Sequence, residues 1–410
     1  MTADQTSPIS RRRTFTFAIT TGFVGLVIGL AIIEVALRLA GYSSPEFYRA
    51  DRALGYSLIP GISGWYSKEG RSYVEVNSDG FRDVERPYEK PADTIRIAIV
   101  GDSYVEGFQV GRDEMFSTFV LKGSRECGVF SGKNVEVLTF GVSGYGTGQE
   151  LLVLREKVWR YSPDIVMLVM TTNNDVTDNL RELKNTPIPY FVLSDGKLTL
   201  DDSFQNERAF IVRDSLIGRS GTWFKNNLRF VQAIGQISVK LKYWYRNDRK
   251  REDRSTSVVN QTVMPADVEV GIDNQIYREP KDENWQRAWR VTESLLLAMR
   301  TDVEDRGAKF VVVTATNGVQ ILPSPDERRA YAAYLGVVDL QYPDRRIADF
   351  CYANSISVIG LVGELGDYSM KENANLHGFE GNLGYGHWNQ LGHRIAGEAI
   401  ARRLCEGAVR

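Results

Sequence analysis

Four short stretches carry residue types suited to nucleophilic chemistry. Gly101-Asp102-Ser103 follows the apolar run Ile95–Val100, so the serine stands where a strand turns into a helix. A hydroxyl there is accessible, and the partial positive charge of a helix N-terminus favours an anion developing beside it. Asn174-Asp175 follows a second apolar run, Ile165–Met170, and an Asn amide there can donate to an oxyanion. His387 is one of only three histidines and precedes a helical segment; an imidazole is the usual base for a serine hydroxyl. Gly144 lies in the glycine-rich turn Gly141–Gly148, where the absence of a Cβ lets a backbone N–H approach a ligand. Taken singly each has a plainer explanation, since a serine after a strand is often only an N-cap.

The elements that would position these residues form a regular series. Ile95–Val100, Val135–Phe140 and Ile165–Met170 read as buried strands, with helical lengths between them at Glu114–Arg125 and Gln149–Tyr161. The series resumes with a helix over Trp285–Arg306, strands at Phe310–Thr314 and Ser357–Leu361, and a last helix over Gln390–Leu404 with Asn389 as N-cap. Strand–loop–helix repetition predicts an α/β fold: a three-layer, doubly wound, mostly parallel sheet. In such sheets polar groups gather beyond the carboxyl ends of the strands, where GDS, GVSGYG and TNND stand here.

Occurring together and in this order, the motifs resemble the SGNH (GDSL-type) esterase and lipase superfamily. VGDSYVEG matches the nucleophile block, FGVSGYG the glycine block, TTNND the asparagine block and HWNQLG the histidine block, over roughly 95–180 and 285–405. An N-terminal anchor ending in a Glu–Arg turn, followed by NSDGFRD before the first strand, is similar to membrane-anchored members. The resemblance implies Ser103 as nucleophile and His387 as base. The backbone N–H groups of Ser103 and Gly144 and the Asn174 amide would form the oxyanion hole. The expected activity is serine-esterase hydrolysis of an O-acyl ester, such as an O-acetyl group on carbohydrate, or of a lipid-like ester. Polysaccharide O-acyl transfer and a non-catalytic binding or scaffold role are the alternatives.

One departure stands out. The superfamily usually has an Asp three residues before its histidine, and here that residue is Gly384. Glu380, Asp367 or Glu364, a backbone carbonyl, or a simple Ser–His dyad are the expected substitutes, with Asp102 and Asp175 as further supporting carboxylates. Other nucleotide or hydrolase signatures fail. Neither Gly101–Val105 nor Gly141–Tyr145 completes G-x-S-x-G, and no Lys-Ser/Thr follows the glycine turn as a phosphate loop needs. His377, His387 and His393 lie close in sequence, but no H-E-x-x-H spacing supports zinc, so no metal or cofactor is expected. His393 reads as a packing residue on the last helix and His377 as a loop residue near the site mouth.

Composition narrows the setting. The 410 residues carry a formal charge of −2, which gives no reason to expect a nucleic-acid partner. Thr14–Ile33 is uncharged and long enough to cross a bilayer core, and Arg11, Arg12 and Arg13 before it favour a cytoplasmic N-terminus. Arg38 occupies a position where signal cleavage after Ala40 wants a small residue, so an uncleaved anchor with an extracytoplasmic domain is expected. The expected organisation is a tail over 1–13, a transmembrane anchor over 14–40, an ordered approach segment over 42–94 with alternation at Ser72–Val76, and the α/β domain over 95–410.

An inserted subdomain is expected at about 181–284. Within it, Phe191–Leu200 holds an Asp-Gly between apolar arms and predicts a hairpin. Thr222–Tyr245 is amphipathic and is expected to pack its stripe on the domain, with a lid or membrane-facing helix as the alternative. Arg246–Arg254 reads as a solvated charge run. Of Cys127, Cys351 and Cys405, three buried thiols are expected or, if one pair oxidises, Cys351 with Cys405.

Overall fold

The computed structural model describes residues 11–238 and 273–407. Arg246–Arg254 and the end of the amphipathic stretch, 239–245, lie outside the described residues.

The segment before the first buried strand forms two antiparallel ribbons. β1 (Tyr48–Asp51) pairs with β2 (Gly55–Leu58), and β3 (Ser63–Tyr66) pairs with β4 (Ser72–Glu75). Alternation in β4 buries Ser72 and Val74 and exposes Tyr73 and Glu75, as period 2 requires. The central strands follow: β5 (Thr94–Gly101), β6 (Asn134–Gly141) and β7 (Ile165–Thr171). β8 (Tyr190–Ser194) and β9 (Lys197–Asp201) form a hairpin in which Asp195 and Gly196 both have positive φ, 51° and 73°. That backbone is what an Asp-Gly turn between twisted strands supplies. β10 (Lys309–Ala315) and β11 (Ser357–Gly360) complete the main sheet.

The five central strands lie in the order β11-β10-β7-β5-β6, and all pairs are parallel. The chain order reverses at β5, whose neighbours are β6 and β7, which places a crevice beyond the carboxyl ends of β5 and β7. Side chains alternate between two apolar layers. Ala98, Val100, Leu168 and Val312 enter one layer, together with Leu151, Trp289 and Ile347 from the covering helices. Ile97, Ile99, Met167 and Val313 enter the other, with Phe116, Leu365 and Ile400. Helices Thr147–Glu156, Glu283–Glu304 and Tyr342–Ala353 thus cover one face, and Phe116–Arg125, Val362–Glu372 and Gln390–Cys405 the other. This is the expected three-layer α/β arrangement, and the near-continuous apolar strands are those of a sheet buried on both faces. Asn389 caps the last helix, accepting from Gly392 N–H at 3.0 Å.

The chain divides into two compact units, one of residues 47–219 and 259–410, the other of 1–46 and 220–258. The inserted stretch is therefore shared between the units. In the second unit one helix, Arg11–Leu39, is long and apolar enough to span a membrane or to act as a signal sequence. The amphipathic stretch does not form one continuous helix: Leu216–Asn227 ends, and a new helix covers 229–238. Nor is its stripe packed as expected, because Trp223, Phe224, Ile234 and Ile237 are exposed.

The cysteines differ from expectation. Cys127 and Cys405 form a disulfide with Cα atoms 5.5 Å apart, and Cys351 is free and buried. Helix Phe116–Arg125 runs beside the last helix, so Cys127, just past its end, meets Cys405; nothing in the local sequence brings those two together. Denatured, unreduced protein should therefore take up one equivalent of alkylating agent, at Cys351, and all three only after reduction. Mass spectrometry checks this, and uptake at Cys127 without reductant would contradict it.

Candidate active site

Ser103 opens a one-turn helix, Ser103–Glu106, directly after β5. Asp102 caps that turn, its Oδ1 accepting from Tyr104 N–H at 3.0 Å, and burial pushes its carboxyl above the usual range. The far end of the turn is held by Arg82 of the NSDGFRD motif. This buried guanidinium donates to the Gly107 carbonyl and, at 2.7 Å, to the Val110 carbonyl, and burial pulls its pKa down to about 10. Ser72 of β4 donates to the Phe108 carbonyl at 2.6 Å. The segment before the sheet thus clamps the loop that follows the serine.

The last helix begins just after His387, whose Nε2 accepts from Ser103 Oγ at 2.8 Å. Its other nitrogen, Nδ1, donates to Glu69 Oε2 at 2.5 Å, and its backbone N–H donates to Glu69 Oε1 at 2.9 Å. One carboxylate therefore fixes the ring's tautomer and the backbone that carries it. Burial alone would lower the imidazole pKa, but the Glu69 carboxylate outweighs it and the net shift is upward. Glu69 is displaced the other way: burial raises it, and the hydrogen bond and charge of His387 bring it below the ordinary value.

None of the carboxylates expected to support the histidine occupies this position. Glu380 and Asp367 are exposed, and Glu364 pairs with Arg402. An Asp at position 384 would be strained in this backbone. Its φ is +90°, and a Cβ would stand 2.8 Å from Leu322 Cδ2. Gly386, with φ +83°, would place a Cβ 2.3 Å from Glu69 Oε1, so the glycine is what lets the carboxylate come in. Sequence reasoning missed Glu69 because it stands in the turn between β3 and β4, within Lys68-Glu69-Gly70, and no motif marks that tripeptide.

His377 is not at the site mouth; it is buried behind the site. Its Nδ1 donates to the Gly386 carbonyl at 2.6 Å, which leaves Nε2 to accept from Thr316 Oγ1 at 2.9 Å. Thr316 in turn accepts from the indole N–H of Trp388 at 3.0 Å. Burial lowers the His377 pKa to about 4, so it is a neutral brace for Gly386, the residue next to His387. His393 is a buried packing residue on the last helix, as expected, and accepts from Phe116 N–H at 3.2 Å. The three histidines do not converge, and among the described residues no cluster of three or more His, Cys, Asp or Glu could hold a metal.

Asn174 begins the turn after β7, and its amide donates to Asp102 Oδ2 at 3.3 Å, leaving a second N–H for a ligand. Asp175 is fully buried and anchors the same turn, accepting from Thr171 N–H at 2.6 Å. Gly144 has φ +77°, and a Cβ there would stand 2.8 Å from Tyr56 Oη. Tyr56 donates to the Ser143 carbonyl at 2.9 Å, and Glu106 accepts from the Ser143 N–H at 3.1 Å. Tyr48 donates to the Glu106 carboxylate at 2.8 Å, and burial pushes the Glu106 pKa up to about 7. So Tyr56 of β2 bonds the glycine turn directly, and Tyr48 of β1 reaches it through Glu106.

No family model matches the chain, and no curated protein matches it. Among solved structures it is similar to an acetyl xylan esterase at 12% identity and a TM-score of 0.37, covering 76% of this chain and 100% of that one. An acetylxylan esterase from Geobacillus stearothermophilus is 10% identical with a TM-score of 0.37, covering 76% of this chain and 94% of that one. The lipase/acylhydrolase from Enterococcus faecalis is 12% identical with a TM-score of 0.36, covering 77% and 97%. Scores of this size say nothing of a reaction. The chemistry open to this chain rests on its own side chains.

A serine hydroxyl donating to an imidazole, which donates to a carboxylate, can transfer its proton as the oxygen attacks an electrophile. Glu69→Gln removes the charge and presents an amide to Nδ1. The rate at which Ser103 reacts with a fluorophosphonate should fall by roughly 10³–10⁴-fold. Because Glu69 raises the His387 pKa, the acid limb of the pH–rate profile should move to lower pH in the variant. An unchanged rate and midpoint would remove Glu69 from the proton relay.

Proposed function

We propose that this chain is a membrane-anchored serine esterase that cleaves an O-acyl ester outside the cytoplasm through an acyl-enzyme on Ser103. The observation that carries the reading is the unbroken hydrogen-bond line Ser103 Oγ–His387 Nε2 and His387 Nδ1–Glu69 Oε2, at 2.8 and 2.5 Å. In this scheme Ser103 Oγ attacks the acyl carbon while His387 Nε2 takes the hydroxyl proton. Collapse of the tetrahedral intermediate breaks the bond to the alcohol oxygen, and His387 returns the proton to that oxygen. Water then attacks the acyl-enzyme with His387 again as base, releasing the acid and restoring Ser103. The Ser103 and Gly144 backbone N–H groups and the Asn174 amide are assigned to the oxyanion.

The non-catalytic alternative rested on the missing carboxylate at Gly384, and Glu69 removes that ground. Glycine and polar side chains around Ser103 suit a short acyl group, such as acetyl on a carbohydrate. Acyl transfer to a sugar hydroxyl shares every step up to the acyl-enzyme, and Ser103 is only 3% exposed, which favours a reaction shielded from bulk water. Placement outside the cytoplasm is supported by Arg11–Arg13 ahead of the uncharged run and by the Cys127–Cys405 disulfide, which persists in oxidising compartments.

The test is full-length protein incubated with an acetylated oligosaccharide or with an acetyl donor plus oligosaccharide. Acetate release that falls at least 10³-fold in Ser103→Ala supports hydrolysis. Acetyl groups appearing on the acceptor would assign transfer instead. Asn174→Ala should lower kcat by roughly 10²–10³-fold with little change in KM. Turnover that survives Ser103→Ala would overturn the nucleophile assignment.

A further inference from the structure

The helix pair beside the anchor has its polarity turned inside out. Its polar side chains bond inward to the chain at 43–46. The Asn226 amide accepts from Glu46 N–H at 2.8 Å and donates to the Glu46 carbonyl at 3.1 Å. Gln232 accepts from Ser44 N–H at 2.8 Å, Gln236 donates to Ser44 Oγ at 2.8 Å, and Arg229 donates to Ser43 Oγ at 2.7 Å. The large apolar side chains point away: Trp223, Phe224, Ile234 and Ile237 are 58, 52, 57 and 57% exposed. Soluble helices bury that stripe, and contiguous exposed apolar surface marks an interaction site.

The level of this surface is set by the anchor. The uncharged run of the anchor helix ends at Ile33, and its roughly 20 residues at about 1.5 Å each match a hydrocarbon core of about 30 Å. Glu34, the next residue, accepts from Phe230 N–H at 3.0 Å through Oε2 and from Arg38 Nε at 2.7 Å through Oε1. Arg38 also donates to the Asn227 carbonyl at 2.7 Å. The break between the two helices is therefore pinned to the residue where the apolar run stops.

We infer that Trp223, Phe224, Ile234 and Ile237 insert into the lipid interface, so that the helix pair lies on the bilayer as a foot for the anchor. The occupant is lipid rather than a protein because the helices that carry the apolar face are hydrogen-bonded, through Asn227 and Phe230, to the last turns of a membrane-length helix, and because an indole is suited to the water–lipid boundary. This rests on the membrane-anchor reading of the Arg11–Leu39 helix.

The test uses full-length protein in phospholipid vesicles whose acyl chains are brominated near the glycerol. Tryptophan emission should be quenched, and Trp223→Phe, which changes one of seven tryptophans, should lose part of that quenching. A nitroxide on Ile234→Cys should show greater access to oxygen than to a water-soluble nickel complex. Equal quenching with and without Trp223, or a nitroxide open to the aqueous reagent, would overturn the inference. Spin–spin broadening that vanishes on diluting the protein in lipid would assign the face to a second copy instead. Alkaline carbonate separates the two readings: release of the chain defeats the anchor, whereas retention with an unquenched Trp223 defeats only the foot.

Discussion

The hydrogen bonds that His387 donates to Glu69 span 318 residues of sequence, and the arrangement of the site depends on them. A carboxylate on a hairpin turn before the sheet can orient an imidazole only if that hairpin is held rigidly against the sheet. Two buried arginines meet this requirement. Arg82 ties the segment to the carbonyls after the serine turn, at Gly107 and Val110. Arg96, wholly buried in β5, donates to the carbonyls of Pro87, Tyr88 and Tyr161 and pairs with Glu136 at 2.8 Å. Burying a guanidinium is costly unless its donors are met, and here backbone carbonyls and the Glu136 carboxylate meet them. The conformation of the segment and the solvation of these arginines therefore stand or fall together.

The same economy of partners governs the charges below Ser103. Asp102, Glu106 and Asp175 are all shifted upward by burial, and Asp102 and Glu106 still help to raise His387. Each has a structural engagement: Asp102 with the serine turn and Asn174, Glu106 with Tyr48 and the glycine turn, Asp175 with the end of β7. Of these carboxylates and Glu69, it is Glu69 that bonds Nδ1 of His387. Geometry separates these roles, since Glu69, Asp102 and Glu106 all raise His387 and would otherwise be indistinguishable by charge.

The strands, their covering helices and the places of Ser103, Asn174 and His387 were legible because period and turn chemistry are local signals. Ile95–Val100 announces a doubly buried strand, and the residues after it must lie at the sheet's carboxyl edge. Glu69, Tyr48, Tyr56 and Arg82 were not legible as site residues, because short ribbons carry weak periodicity and their pairing with distant loops leaves no trace within a window of ten residues. The Cys127–Cys405 bond escaped for the same reason, as it depends on which two helices share a face of the sheet. Gly384 leaves no carboxylate three residues before His387, and residues near it in sequence are not those near it in space: Glu69 comes from a hairpin 318 residues earlier.

The helix pair at 216–238 shows a different limit. A 3.6-residue period states which side chains share a face and nothing of the medium that face meets. Burial against protein is the ordinary outcome, so the stripe of Trp223, Phe224, Ile234 and Ile237 was expected to turn inward. Its direction is decided by the opposite face, where Asn226, Gln232, Gln236 and Arg229 find backbone and hydroxyl partners along Ser43–Glu46. Those partners exist because the chain leaving the Arg11–Leu39 helix passes there in an irregular conformation with open N–H and C=O groups. Pairing that segment with side-chain amides turns the apolar face outward. The orientation thus follows from the need to pair backbone groups where a long apolar helix ends, and the exposed aromatic surface is its consequence.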